Sequence, residues 1–247
     1  MNIAVCGRNL DDIYPLVESF GVNLTTESPE LVISYGGDGA LLGAERDYPG
    51  IPKCPIRDSR SYPKCDDHSE EKILHALFAG ELEETLLTKL TGADSKGRSS
   101  TGLNDIVVNR LIISSAVRYR LWLNDKLYAQ QIVGDGLVAA TPFGSTGYYR
   151  SITHSFFHSG VGLAFNNSTE PINHLVLDED VDVHIEILRG PAAMVADNEP
   201  DEKRIEKGDF VHISKADEKA RIIGLSTFRC PNCYWLRHHR LFGENCF

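Results

Sequence analysis

The sequence predicts an α/β domain followed by a β-rich domain. Three observations predict it. Short apolar runs alternate with helical periodicities through the first ~90 residues, strand patterns dominate afterwards, and the polar, Gly/Ser-rich stretch Thr91–Gly102 separates the two regimes. This divides the chain into an α/β domain at 1–95, a β-rich domain at 96–225 and a C-terminal tail at 226–247 that can pack back on the first domain.

The elements follow in order. Ile3-Ala4-Val5 is a short buried strand. Leu10, Ile13, Val17 and Phe20 recur at helical spacing, Pro15 limits where that helix begins, and Gly21 stands where a C-cap is preferred. Leu31–Tyr35 is a β-rich run that stops abruptly at Gly36-Gly37, and Ala40–Glu45 suits a helix. Strand, glycine turn, helix is the arrangement in which open parallel sheets bind ligands at their carboxyl ends. Glu70–Phe78 predicts another helix, with Ile73, Leu74, Leu77 and Phe78 on one side and Gly80 ending it. Thr91–Gly102 is read as a linker or exposed loop. Beyond it, Ile106–Val108 and Leu111–Ile113 flank Asn109-Arg110, and Tyr119–Leu123 and Leu127–Val133 flank Asn124-Asp125-Lys126, a hairpin signature. Val181–Ile187 and Phe210–Ser214 alternate apolar and polar residues, as half-exposed strands do.

Charge bounds the partners. Thirty-five acidic against 25 basic residues give 247 residues a formal net charge of −10. Affinity for nucleic-acid phosphates needs a basic face, so DNA, RNA and anionic membranes are not expected. A small phosphorylated ligand is still compatible, because backbone N–H groups and a bound Mg²⁺ supply local positive field. No apolar run approaches the ~20 residues that span a bilayer. Met1–Cys6 has no basic segment before its apolar stretch, so a cytoplasmic protein without a signal peptide is expected.

Three segments carry chemistry. Gly36-Gly37-Asp38-Gly39 combines glycines, which let a backbone approach phosphate, with an acid placed to orient or deprotonate a hydroxyl or to hold Mg²⁺. The competing reading is a plain turn in which Asp38 caps the following helix. Asn104-Asp105 sets an amide beside a carboxylate at a strand start. The amide can read a base edge and the carboxylate can accept from ribose hydroxyls, unless the pair simply initiates the strand. Gly134–Tyr148 joins an Asp-Gly turn, a short buried strand and a Gly-Ser-Thr turn entering a helix, with Tyr148 able to stack on a base.

The ordered set Gly-Gly-Asp-Gly, Asn-Asp opening a strand, and Asp-Gly-Leu…Thr-Pro-x-Gly-Ser-Thr-x-Tyr resembles the NAD kinase family, clearly from about Leu31 to Tyr149. The resemblance implies an α/β domain plus a β-sandwich-like domain, assembled as a homodimer or homotetramer. It implies transfer of a phosphoryl group from ATP or polyphosphate to the adenosine-ribose 2′-hydroxyl of NAD, giving NADP, with Mg²⁺ or another divalent cation accompanying ATP. On it Asp38 is the catalytic residue and Gly36, Gly37 and Gly39 form the phosphate-side turn. Asn104, Asp105, Asp135, Thr146, Tyr148 and Ser151 hold NAD. No residue is assigned as a metal ligand.

The chain departs from the family pattern in several places. Phe143 replaces a small hydroxyl residue, and Gly147 replaces Ala. Pro55–Arg60 stands in place of a Gly-Ile-Asn…Gly-Phe-Leu segment, and Thr153–His158 lacks the expected Gly-Gly-Pro. Two other readings stay open: a kinase for another small nucleoside or lipid, since lipid kinases and phosphofructokinases share a Gly-Gly-Asp turn, and a catalytically idle nucleotide-binding or regulatory protein.

Arg57 and Arg60 match phosphate chemistry but are read as surface loop residues. Cys230-Pro231-Asn232-Cys233 resembles one knuckle of a zinc site, which Cys54 and Cys65 can complete if the tail packs near them. One Cys-x-x-Cys falls short of the usual two pairs, so the six cysteines, Cys6 and Cys246 included, are read as reduced thiols. His154, His158 and His174 match no common ligand spacing.

Overall fold

The computed structural model describes the backbone of residues 1–241 and side chains through Leu236. Cys246 lies outside the described residues. The chain forms two units, Met1–Leu87 joined by the segment from Ala220 onward, and Thr88–Lys219. Among the described residues, no helix is long and apolar enough to cross a membrane.

The first unit is built from β1 (Asn2–Gly7), α1 (Tyr14–Glu18), β2 (Asn23–Leu24), β3 (Leu31–Tyr35), α2 (Asp38–Asp47), β4 (Lys53–Ile56), α3 (Glu70–Phe78) and β5 (Glu84–Leu87). Its sheet runs β2, β1, β3, β4, then Ala220–Ile223, then β5. β1, β3 and β4 are parallel neighbours. Every residue of β3 is buried because both faces are covered. Leu31, Ile33 and Tyr35 join the core with Ile3, Val5, Ile56 and Leu74, while Val32 packs with Ala4 and Ala44 on the other face. That is why the strand reads as an unbroken apolar run. The helix expected over Leu10–Phe20 is split into a 3₁₀ turn, Leu10–Asp12, and α1, with Pro15 in the first turn where its missing N–H costs nothing. Cys54 lies fully buried inside β4, where burial pushes its thiol up to about 12.

The second unit contains β6 (Leu90–Asp94), β7 (Ser99–Gly102), β8 (Asp105–Arg110), β9 (Val117–Leu123), β10 (Lys126–Gly134), β11 (Gly136–Ala140), α4 (Tyr148–Thr153), β12 (Val161–Asn166), β13 (His174–Leu177), β14 (Val183–Arg189), β15 (Ala192–Ala196), β16 (Lys203–Ile205) and β17 (Phe210–Lys215). One antiparallel sheet runs β10-β9-β14-β17-β6-β7 and the other β13-β12-β11-β8-β15-β16. Tyr119, Leu121, Ile185 and Ile213 from the first meet Ile106, Leu137, Leu163, Phe165 and Met194 from the second in one core. On the other face of the second sheet, Val138, Ala140 and Ala164 pack against Tyr149 and Phe157. β11 is therefore covered on both sides by a sandwich partner and by α4.

Two local expectations are corrected. Thr91–Gly102 is a β6–β7 hairpin rather than a linker, with Thr91 opposite Thr101 and Ala93 opposite Ser99. Its turn is organised by Asp94, whose carboxylate accepts from the Lys96 and Arg98 N–H groups, both at 2.9 Å. Leu111–Ile113 is a turn rather than a strand, with Ile113 86% exposed, because β8 runs on through Asn109-Arg110 to pair with β15. The units divide at Leu87/Thr88 and Lys219/Ala220, a few residues ahead of 95 and 225. The physical reason is pairing: β6 belongs to the sandwich, whereas Ala220–Ile223 (β18) pairs with β5 and touches β4.

Candidate functional site

In the first unit, β3 hands the chain through Gly36 (φ 141°) into α2. Asp38 is the first helical residue. The N-cap position falls on Gly37 and has no side-chain cap bond, so Asp38 is not occupied as a cap. Its carboxylate instead takes Arg57 at 2.9 Å on Oδ1 and Arg229 at 3.7 Å on Oδ2. Arg57 is buried, not a surface residue as expected. Its guanidinium lies 3.8 Å from the Phe228 ring centroid and 5.2 Å from that of Tyr62, an aromatic clamp that holds the charge against Asp38. Arg60 does remain exposed and pairs with Asp12. The Tyr62 hydroxyl stands against Gly37, 2.2 Å from where a Cβ would be, so a larger residue there would require the Tyr62 side chain to move.

The loop after β4 is anchored by Glu70. Its Oε1 accepts from the Tyr35 hydroxyl at 2.8 Å and the Ser59 hydroxyl at 2.6 Å, and its Oε2 pairs with Lys64 at 2.7 Å. Burial acts to raise this carboxyl, but the bonds from Lys64, Ser59 and Tyr35 outweigh it and hold it at about 2.

In the second unit, Asp105 is registered opposite Ala140 and Ala196 opposite Ile106, so three turns converge at one end of the sheet. Asp197, at φ 52°, is the organiser. Its carboxylate accepts from the N–H groups of Leu103 (2.7 Å), Asn104 (2.7 Å) and Asp105 (3.1 Å). Thr141 completes the join, its N–H donating to the Asn104 carbonyl at 2.8 Å and its hydroxyl to the Leu103 carbonyl at 2.7 Å. Gly144 presses on this turn so closely that a Cβ would lie 2.1 Å from the Asn104 oxygen. Asn104 thus has both backbone groups bonded, while its buried Oδ1 has no partner among the described residues. Asp105 is also buried, and burial first, then the neighbouring Asp197 charge, pushes its carboxyl up to about 7. Thr146 follows Gly144 in an exposed position of the same 3₁₀ turn.

The remaining expected residues gather at the other end of that sheet, where Asn109 faces Gly136. Asp135 pairs with Arg110 at 2.9 Å and accepts from the Asn167 amide at 2.7 Å. The Tyr148 hydroxyl accepts from Asn109 (3.0 Å) and Asn166 (2.9 Å), leaving its ring partly exposed. Ser151 donates to the Tyr148 carbonyl at 2.7 Å. Tyr148, Ser151, Asn166 and Asn167 line a cavity of about 380 Å³. The two ends are four residue steps apart, which at ~3.4 Å per step is about 14 Å.

Sequence reasoning did not find Arg57 and Arg229 as partners of Asp38, nor Asp197. The only local signal for Asp197 was an Asp-Asn pair after an apolar run, the composition of a tight turn.

Comparison with known proteins places this architecture. Residues 103–225 match the ATP-NAD kinase C-terminal domain family. A Clostridium perfringens NAD kinase is 34% identical over 128 residues, 49% of this chain and 46% of that protein. A Methylibium petroleiphilum NAD kinase is 26% identical over 210 residues, 78% and 69% of the two chains. In the most similar stretch the chain thus spans about half the length of its curated relatives. Among solved structures, the yeast NADH kinase complexed with NADH superposes with a TM-score of 0.81 at 13% identity, covering 100% of this chain and 88% of that one. An Archaeoglobus fulgidus NAD kinase in complex with ATP gives 0.76 at 19% identity, covering 94% and 97%. These two likenesses establish the two-domain NAD kinase fold. With the three motifs and the family match, the chain is a divergent member of the NAD kinase family.

Proposed function

We propose that this protein is an NAD kinase that transfers a phosphoryl group from ATP to the adenosine-ribose 2′-hydroxyl of NAD. The observation that carries the reading is Asn104, with a fully bonded backbone and a buried side-chain oxygen that has no partner among the described residues. A half-buried amide held this way is suited to the donor–acceptor edge of a purine. The separation of about 14 Å between the Asn104 and Asp135 turns suits an extended dinucleotide better than a mononucleotide. In this proposal Asn104, Asp105 and Thr146 hold one part of NAD, and Asp135, Tyr148 and Ser151 the other.

Asp38 is the catalytic residue. As the ribose 2′-oxygen bonds to the γ-phosphorus, the bond from that phosphorus to the bridging oxygen of ATP breaks, ADP leaves, and the hydroxyl proton passes to the Asp38 carboxylate. Arg57 and Arg229 keep that carboxylate in one orientation. Gly36, Gly37 and Gly39 are assigned to the phosphates. A divalent cation belongs to the proposal as a companion of ATP, but Asp38, already taking two guanidiniums, does not fit as its ligand. Homodimeric or homotetrameric assembly completes the reading, and its support is what the resemblance to the family implies.

One feature favours a second reading, an idle nucleotide-binding protein: Tyr62 stands against Gly37, on the turn that phosphate would approach. The test is direct. Purified protein is incubated with NAD, ATP and Mg²⁺, with NADH and polyphosphate in parallel arms, and NADP is measured with an NADP-specific dehydrogenase. NADP from the first arm is expected, and Asn104→Ala should raise the KM for NAD by about tenfold or more. NAD binding without any phosphorylated product would favour the idle reading.

A further inference from the structure

We propose that the first unit carries a zinc site made by Cys65, His68, Cys230 and Cys233. One ligand atom from each lies within 4.8 Å of every other. Cys65 Sγ is 3.2 Å from His68 Nδ1 and 3.4 Å from Cys233 Sγ, and His68 Nδ1 is 3.4 Å from Cys233 Sγ. A tetrahedral zinc with bonds of ~2.3 Å to sulfur and ~2.0 Å to nitrogen requires donors about 3.5–3.8 Å apart, so Cys65, His68 and Cys233 already stand close to three of the corners, with the Cys230 sulfur within 4.8 Å of each to supply the fourth. Three thiolates and an imidazole form a soft set that selects zinc over Mg²⁺ or Ca²⁺.

Local structure explains the convergence. Asp66–His68 is a 3₁₀ turn, which brings positions i and i+3, Cys65 and His68, to one side. Cys230 precedes Pro231, the first residue of the helix Pro231–Leu241, and its carbonyl accepts from the Tyr234 N–H at 3.0 Å, so Cys230 and Cys233 also share a side. The Cys65 N–H points at Cys233 Sγ at 3.4 Å, the kind of backbone donor that steadies a thiolate ligand. Cys230 and Cys233 are buried, and Cys65 and His68 half-buried. The fourth ligand is therefore His68, not Cys54, whose thiol is packed in the sheet core. The sulfur separation of 3.4 Å is far beyond the ~2.05 Å of a disulfide, and all three cysteines are free.

The site has a place in the fold. It fastens the segment after β4 to the start of the last helix, and those two segments supply Arg57 and Arg229 to Asp38. Zinc is assigned a structural role there: all four positions are filled by protein, leaving no coordination place for substrate.

Elemental analysis of untagged protein, purified without added metal, tests the proposal. Stoichiometric zinc is expected, with Cys65→Ser and Cys233→Ser each losing it and His68→Cys and Cys54→Ser both keeping it. Chelation should lower Tm by roughly 5–10 °C. If the serine variants fail to fold, wild-type protein loaded with Co²⁺ alone still decides the matter. Tetrahedral-cobalt absorption with a thiolate charge-transfer band, and protection of Cys65, Cys230 and Cys233 from alkylation, support the site. Overturning results are a wild type that neither contains nor takes up zinc, zinc retained in a Cys65→Ser/Cys233→Ser double variant, or a native Cys65–Cys233 disulfide found by mass spectrometry.

Discussion

The acid of the N-terminal unit and the amide of the β-rich unit are immobilised by opposite means. Asp38 is held by side chains: two guanidiniums, one of them clamped between Phe228 and Tyr62, arrive from segments remote in sequence. Asn104 is held through its backbone, by three N–H bonds into Asp197, a carbonyl bond from Thr141 and the bare Cα of Gly144. A backbone-held group gains its position from the fold itself and fails when the turn fails. A side-chain-held group can lose its partner while the fold survives, so substitutions in the two units should separate stability from turnover.

The largest expected effect is on the backbone-held turn. Asp197→Ala strands three buried N–H groups and should destabilise the protein by about 3–5 kcal/mol, read as a fall in the urea midpoint. Gly144→Ala comes next: its Cβ would overlap the Asn104 carbonyl, which cannot retreat without breaking the Thr141 bond, at a cost of about 2–3 kcal/mol. A Tm unchanged in Gly144→Ala would mean that the two turns are not locked together.

Asp105 gives a pH signature of similar or smaller size. Its folded carboxyl is raised to about 7, well above its unfolded value. The neutral acid is therefore the stable form, and its contribution is complete below about pH 4 and lost as pH rises through 7. Relative to Asp105→Asn, wild-type stability should decline between pH 5 and 8 by on the order of 2 kcal/mol. Parallel pH profiles for the two proteins would contradict the burial of a titrating acid there. The smallest effect belongs to the side-chain-held acid. Arg57→Met keeps much of the stacking over Phe228 but removes the charge, so kcat should fall by about tenfold with little change in Tm or in the KM for NAD. A rise in KM alone would move Arg57 from orienting Asp38 to binding substrate.

The same contrast explains what the sequence disclosed. The hairpin at Asn124-Asp125 was legible because both residues adopt the left-handed conformation that tight turns demand, φ 49° and 61°. The strand–glycine–helix turn at Gly36 and the span of α3 were legible for the same reason, since short-range chemistry decides them. The β6–β7 hairpin was not, because its Gly, Ser and Thr residues are turn formers that tertiary pairing overrides. In the site, Asn104, Thr141 and Gly144 lie in continuous motifs and could be read. Arg57, Arg229 and Asp197 act across 19 to 191 residues of sequence and leave no periodic trace. Arg57 even carried the wrong sign, an arginine in a polar loop that proves buried.

The role of Asp38 is tested most directly by NADP formation by wild type and by Asp38→Asn, with NAD binding measured on the same preparations. The variant should bind NAD as wild type does and make NADP about 10²–10⁴-fold more slowly. An Asp38→Asn protein with wild-type turnover, or a wild type that binds NAD and makes no NADP, would contradict that role.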